Sequence, residues 1–326
     1  MANIYHFKKL QDEVLRHLDE DGDTNYTLTS VKNALNKAHL KRLTDRDWSF
    51  MLWPTPLTFT TTQGIQTYSL HSEFYKPFYF FNQTTKAYMV EMPSRQVGPS
   101  GVRWNTDTDR ASKFVRWGHS PVETQPTTSG VLNVVSSSAG DDGSAYTVTI
   151  TGTDSTGKYK VSETLTLDGT TVVTGSVSFS NPILSVTLSI PLAGSMTLKM
   201  GSTTLLVLQA GEIGRSYPLI YLLTNPNVGS DIIEYRFYRQ PKVLTYNYDL
   251  PDIPPPFQQI LVFDALIELA SYDGTDGEMQ IMAWMKSAAE LADAMLLMDE
   301  EGGLEAEPRY IRYMGDEPDR PRIYSS

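Results

Sequence analysis

The stretch Asp249-Leu-Pro-Asp-Ile-Pro-Pro-Pro-Phe-Gln-Gln-Ile-Leu-Val-Phe-Asp-Ala-Leu-Ile-Glu-Leu-Ala270 decides how the chain is read. Prolines 254 to 256 cannot continue a strand, but proline fits the first turn of a helix, where no amide donor is needed. Beyond them Phe257, Ile260, Leu261, Ile267 and Ala270 recur at helical spacing. Tyr272-Asp273-Gly274 ends that helix, and Thr275 with Glu278 fits a capping box for the next. Ile281, Met285, Ala288, Ala292, Met295 and Met298 predict the buried face of a second helix, closed by Glu301-Gly302-Gly303. So short a connection makes the pair an antiparallel hairpin. Ile281→Asp is then expected to be strongly destabilising.

The hairpin is also where the charge sits. Residues 249 to 308 hold fourteen Asp/Glu and one Lys, a charge of −13, against −11 for the whole chain, so everything else carries +2. Wrapping nucleic acid needs clustered Lys and Arg, which this surface lacks. A solvated helix face accounts for the acids, as does a wall along which DNA slides or a dock for a basic partner. The 326 residues suggest two domains. No run of eighteen apolar residues is present, so no membrane span is expected. Met1 to Lys9 has no hydrophobic signal core. With no cysteine, disulfides, thiolate zinc sites and cysteine nucleophiles are excluded, which fits assembly in a reducing cytoplasm.

Upstream, Ile4, Phe7, Leu10, Val14 and Leu18 predict a first helix. The aspartates of Asp19-Glu-Asp-Gly-Asp23 resemble a calcium loop, but its twelfth position is Ser30 rather than a bidentate glutamate, so a polar turn is the reading. Thr29 is expected to cap a second helix from Val31 to Thr44, with Val31, Leu35, Ala38 and Leu43 inward. Its outer face is basic: Lys32, Lys37, Lys41, Arg42 and Arg46. Those cations can meet the acidic hairpin of the same chain or of a neighbouring copy.

After the aromatic knot Trp48 to Trp53, Pro54 and Pro56 switch the chain to β-structure. Residues 57–62 and 65–70 alternate around Gln63-Gly64 and predict a hairpin. Phe78 to Phe81 and Lys86 to Met92 predict another, around Asn82 to Thr85. Ser94 to Arg110 reads as a loop and Lys113 to Trp117 as a strand. Composition changes at Thr127. From there to Gly211 the chain has 30 Ser/Thr and three aromatics, Tyr146, Tyr159 and Phe179, out of 35 in the chain. Short alternating runs at 146–150, 161–167, 177–179, 184–190, 196–200 and 205–208 predict a β-sandwich without the cysteine pair and core tryptophan of antibody domains. Residues 217–223 and 231–238 restore the aromatic-rich style, so the block is an insertion.

At Tyr235-Arg-Phe-Tyr-Arg-Gln-Pro-Lys-Val-Leu-Thr-Tyr-Asn-Tyr-Asp-Leu-Pro-Asp-Ile-Pro-Pro-Pro-Phe the chain resembles the head-to-tail adaptor (connector) proteins of tailed bacteriophages. Their strand likewise ends in an aromatic-Arg-x-Pro phrase and leads through an Asp-x-Pro-x-Ile-Pro pattern into a helix. Val31-Lys-x-Ala-Leu-Asn-x-Ala38, Trp48-x-Phe50 and the Thr61 to Leu70 phrase Thr-Thr-x-Gly-x-x-x-Tyr-x-Leu match as well. The resemblance skips the Ser/Thr-rich block. The expected fold is α+β: a helical bundle or hairpin scaffold with an antiparallel β-sheet, in residues 1–126 and 212–307, plus, as a departure from the family plan, the inserted all-β Ig-like sandwich read above at 127–211. The resemblance implies a structural virion protein at the head-tail interface, assembled in the host cytoplasm. Such adaptors form a homo-oligomeric ring, usually of twelve copies. The ring lies under the portal protein, docks a tail or nozzle protein below, and lets double-stranded DNA pass without specific binding. Asp264, Glu268, Asp276, Glu278, Glu290 and Asp293 would then face the channel or the neighbouring subunit, and Lys32, Lys37, Lys41 and Arg42 the subunit interface.

The tail from Pro308 is too polar to pack alone yet rich in interface residues: Arg309, Tyr310, Ile311, Arg312, Tyr313, Arg320, Arg322 and Tyr324. It reads as a partner-binding arm, 308–326, that orders on contact. Catalysis is not expected. The histidines His6, His17, His39, His71 and His119 have no metal-ligand spacing, and neither Gly-x-Ser-x-Gly nor a phosphate loop occurs. Asp264 and Glu268 lack a second acid across a cleft. No cofactor or metal is expected. The reading from another class is a carbohydrate-binding or decoration protein using the sandwich, which the scarcity of aromatics in that block disfavours.

Overall fold

A computed structural model describes residues 5–20, 27–93, 110–223, 230–273 and 278–303. Among these the chain is α+β, with four helices, and fourteen strands in three sheets. It divides into two compact units, Met1–Met51 with Pro241–Ser326, and Leu52–Gln240. That division falls at Met51 and Gln240, outside the composition change at Thr127.

The first unit is helical. In α1 (Phe7–Glu20) the residues Phe7, Leu10, Val14 and Leu18 are buried; Ile4 and most of the Asp19 to Asp23 turn lie outside the described residues. α2 spans Leu28–Thr44 and starts earlier than expected, because Thr27, in extended conformation, accepts the Ser30 amide at 3.2 Å. Thr29 is therefore inside the first turn and is not the cap. The prolines form a separate 3-10 turn, Pro255–Phe257, ahead of α3 (Ile260–Asp273) rather than its first turn. α3 contacts each of the other three helices. It buries Val262, Ala265, Leu266 and Leu269 as well as Ile260, Leu261 and Ala270, while Phe257 and Ile267 are only half-buried.

α4 (Glu278–Gly303) corrects the expected phase. Trp284, Ala288, Met295 and Asp299 are buried, Ile281 and Ala292 half-buried, and Met285 and Met298 exposed. Burying the tryptophan removes more apolar surface than burying Met285 could, and it sets the rotation of the helix. The Thr275 cap lies outside the described residues.

The second unit holds three sheets. One has the order β1 (Leu57–Thr60), β14 (Ile232–Arg239), β3 (Phe74–Asn82), β4 (Ala87–Tyr88). Another has β2 (Thr67–Ser69), β13 (Tyr217–Leu222), β6 (Lys113–Ser120), β5 (Val90–Glu91), with β5 and β6 parallel. Phe74, Phe80, Phe114, Ile220, Tyr235 and Phe237 share one core between these two sheets. The expected hairpin at Gln63-Gly64 does not form: Leu57 pairs with Tyr235 on β14, and Tyr68 with Ile220 on β13. Gly64 still turns the chain, at φ +80°, but each short strand adds to a longer one in a different sheet. The hairpin around Asn82 does form, pairing Phe81 with Tyr88, and then sends β5 across to the other sheet.

The third sheet, β12-β11-β7-β10-β8-β9, comprises β7 (Gly130–Ser136), β8 (Asp142–Asp154), β9 (Val161–Asp168), β10 (Val173–Leu188), β11 (Met196–Met200) and β12 (Thr203–Leu208). The runs at 177–179 and 184–190 belong to the single strand β10, whose first half pairs with β7 and second half with β8. Asn181-Pro182 falls at a register shift, so it bulges the strand instead of ending it. Buried side chains from all six strands join one cluster with Val122, Leu192 and Tyr217, so the sheet folds over on itself. Asp141 pins that fold. Its carboxylate accepts the Ser136 hydroxyl at 2.6 Å and the Ala193 and Gly194 amides at 2.9 Å. Burial opposes ionisation there, but those donors outweigh it and hold the carboxyl below its ordinary value. A Cβ at Gly194 would come within 2.6 Å of the Ser138 amide, which is why only glycine fits.

Candidate functional site

The helical unit gathers the charged residues singled out from the sequence, and α2 is its axis. Arg42 grips Asp264 with two hydrogen bonds, Nε to Oδ2 at 2.5 Å and an Nη to Oδ1 at 2.7 Å. Two parallel bonds of this kind match the guanidinium fork to the carboxylate. The Asp264 hydrogen bond, against the effect of burial, raises the Arg42 pKa above its ordinary value. One turn away Lys37 is paired with Glu268. The basic face of α2 and the acids of α3 thus meet within one chain. These two acids clamp α3 to α2.

Residues that the sequence reading passed over complete the frame. Asn36 reads the Leu244 backbone in both directions, accepting its amide at 2.7 Å and donating to its carbonyl at 2.9 Å. His39, fully buried, accepts the Asp252 amide at Nε2, 3.1 Å. Burial lowers its pKa, against the pull of the Asp252 charge. Gln258 accepts the Tyr5 amide at 2.8 Å and donates to Ile253. At the far end of α4, Asp299 accepts the Ser49 amide at 2.7 Å and the Ser49 hydroxyl, with Arg46 3.7 Å away and stacked over Trp48. The signal for Asp299 was its position, four residues after Met295 on the same face: a carboxylate there must have a partner.

The remaining predicted residues stay apart. Lys41 is exposed and Lys32 half-buried on α2; Glu290 and Asp293 are exposed on α4, with Lys286 3.9 Å from Glu290. Asp276, the side chain of Glu278, and the arm residues Arg309, Tyr310, Ile311, Arg312, Tyr313, Arg320, Arg322 and Tyr324 lie outside the described residues.

The described residues of the second unit line two clefts among others. One, of about 420 Å³, runs between His119 to Pro121, the β10 residues Leu184 to Thr187, and Gly214 to Ser216. The Ser120 hydroxyl there donates to the Val122 carbonyl at 2.6 Å, so it is not presented to His119 as a nucleophile. The other, of about 260 Å³, is lined by Phe59, Tyr68, Glu123, Gln125 and Asn181 among others. Both ends of the Gln125 amide are taken by Ile183 and Ser120. Among the described residues no group of three or more His, Asp or Glu is placed to hold a metal ion. Neither a protein-family model nor a curated protein sequence matches the chain.

Proposed function

We propose that this chain is a structural adaptor of the tailed-phage neck, a ring subunit that joins the portal to the tail and carries the DNA channel onward, with no catalytic step of its own. The observation that carries the reading is spatial. The two phrases of the resemblance in the helical unit, Val31 to Ala38 and Leu244 to Phe257, are joined by the Asn36–Leu244 hydrogen bonds, and Lys37 and Arg42 of α2 hold one face of the following α3 through Glu268 and Asp264. They form one rigid frame from segments more than 200 residues apart in sequence. A frame of this kind suits a ring that must hold its shape under load. In this reading the six-stranded Ser/Thr-rich sheet is an Ig-like sandwich displayed by the subunit, and the segment 308–326 is the arm that grips the portal.

Negative-stain imaging of the purified protein, alone and mixed with its portal, tests the reading. Rings, or portal rings carrying an added tier, are expected. A monodisperse monomer that leaves the portal unchanged overturns it. Deleting Pro308 to Ser326 should leave heads tailless or leaking; normally tailed, DNA-filled heads would remove the arm from the account.

A further inference from the structure

The helical unit exposes two apolar patches of different character. The first is the loop Val243 to Leu250. Tyr246 and Tyr248 are 59% and 74% exposed, with rings stacked 5.5 Å apart and within 3° of parallel. Val243 and Leu250 beside them are also exposed. The loop is nevertheless fixed. Asp249 Oδ2 accepts the Thr245 and Tyr246 amides at 2.6 and 2.7 Å, and the Phe7 and Lys8 amides at the start of α1 donate to the Asp249 and Asn247 carbonyls. Asn36 holds Leu244 from the other side. A rigid loop with two tyrosines outward loses little entropy on docking, and tyrosine is enriched among residues that dominate interfaces.

The second patch is the outward arc of α4. Met282 is 66% and Met285 55% exposed, and Ala289, one turn on, is exposed beside them. A second arc of the same helix buries Trp284, Ala288 and Met295, so α4 is apolar along two stripes and its own chain uses one. Methionine is flexible and polarizable, and it shapes itself to aromatic rings. Charges differ in the same sense. Exposed α4 carries Glu290, Asp293 and Glu300 against Lys286, whereas the tyrosine loop, whose Asp249 is taken up by its own amides, has Lys9, Lys242 and Lys8 beside it, the last in an ion pair with Asp12.

We infer that these patches meet between copies: the Tyr246/Tyr248 loop of one subunit seats on the Met282/Met285 arc of α4 in the next. The contact is heterologous, two different patches of one chain. Such contacts propagate around a ring rather than stopping at a dimer. The inference deepens the adaptor reading and rests on it for the closure of the ring, but not for the pairing itself.

The test uses two exposed-site variants, Tyr248→Asp and Met285→Asp, sized by mass photometry across a concentration series. Each alone should assemble only at concentrations about 30-fold or more above wild type. An equimolar mixture should give dimers and nothing larger, because one intact loop still finds one intact arc. Thermal melts of both, taken at concentrations where wild type is also monomeric, should match it, since neither side chain is buried. The chain has no cysteine, so Tyr248→Cys and Met282→Cys, made in separate copies and mixed under oxidising conditions, should cross-link as a heterodimer. Rings that persist in both aspartate variants overturn this contact and leave the adaptor reading standing. A wild type that stays monomeric beside its portal sinks the ring itself. An α4 cysteine that reacts with maleimide only after residues 308–326 are removed assigns the arc to the chain's own tail and also overturns the proposal.

Discussion

The helical unit and the six-stranded sheet are held together by different means. In the helices, side chains reach across long sequence distances to fix one segment on another: Arg42 to Asp264, Asn36 to Leu244, Asp299 to Ser49. Each joint is charged or takes hold of backbone, and several are part-buried, where removing one partner strands the other. In the sheet, backbone ladders and one continuous apolar core do the same task. Its outer surface carries neutral hydroxyl pairs such as Thr151 with Ser162 at 2.7 Å and Thr149 with Thr164 at 3.1 Å. The helical frame therefore depends on a few identifiable joints, and the sheet, Asp141 apart, on many interchangeable ones. That contrast can be tested from either side.

The largest effect is expected at Met295, fully buried on α4. Met295→Asp places an unpaired carboxylate among apolar side chains and should cost several kcal/mol, about 4 or more. Met285→Asp, ten residues earlier and exposed, should stay within about 0.5 kcal/mol in the monomer. Equal melting temperatures for the two would mean that α4 is rotated relative to this description.

Next in size is Asp299→Ala. The Ser49 amide and hydroxyl lose an acceptor that is itself buried, although Ser49 is exposed, a loss of about 1 kcal/mol. Asp299→Asn keeps one acceptor oxygen and should recover part of it. Chemical denaturation of the three proteins gives the order directly, and an alanine variant as stable as wild type would remove this joint from the frame.

These joints mark where sequence reading stops. The alternating strands of the Ser/Thr-rich block were legible because a period of two has one interpretation on a sheet with one buried face. Even there Asn181-Pro182 reads as a break, since nothing local shows that a partner strand continues past the bulge. Partner choice is non-local too: residues 57–70 look like a hairpin, and only the longer strands β13 and β14 decide otherwise. On α4 the difficulty is reversed. Methionines and alanines occupy almost every side, so several apolar arcs compete, and Trp284 decides among them. The charges of Lys37, Arg42, Asp264 and Glu268 were visible, but charge alone does not say whether a partner lies on the same chain. Asn36 and His39 gave less signal still, because their partners are backbone groups that every residue possesses.

A smaller effect is expected from acid. Burial holds the His39 pKa below its ordinary value of about 6.5, so the unfolded chain takes up a proton that the folded chain refuses. The stability that goes with neutral His39 is fully present above the ordinary value. It is lost as pH falls through that value toward the lower folded one. Protonation would also put a donor where Nε2 now accepts the Asp252 amide. Urea midpoints of the helical unit should therefore fall between pH 7.5 and 5.5, and His39→Gln should flatten the slope. The sheet is the internal reference. Its shifted carboxyls, Asp141 and Asp154, are lowered and already ionised across this window. A fall of the same size in both units would assign the effect to something other than His39.

The smallest effect belongs to the hydroxyl pairs. Thr149 and Thr151 stand on β8 opposite Thr164 and Ser162 of β9, with their hydroxyls in exposed hydrogen bonds. Replacing a hydroxyl by a methyl there loses a bond that water readily substitutes, and valine keeps the β-branched shape that suits a strand. Thr149→Val and Thr151→Val should each lie within about 0.5 kcal/mol of wild type, with either sign. The double variant should be additive to within about 0.5 kcal/mol, because neither residue shares a hydroxyl partner with the other. A loss of 2 kcal/mol or more, on the order of a buried joint, would show that the hydroxyl surface is load-carrying. The sheet would then rest on particular joints as the helices do, and the contrast between the two units would fail.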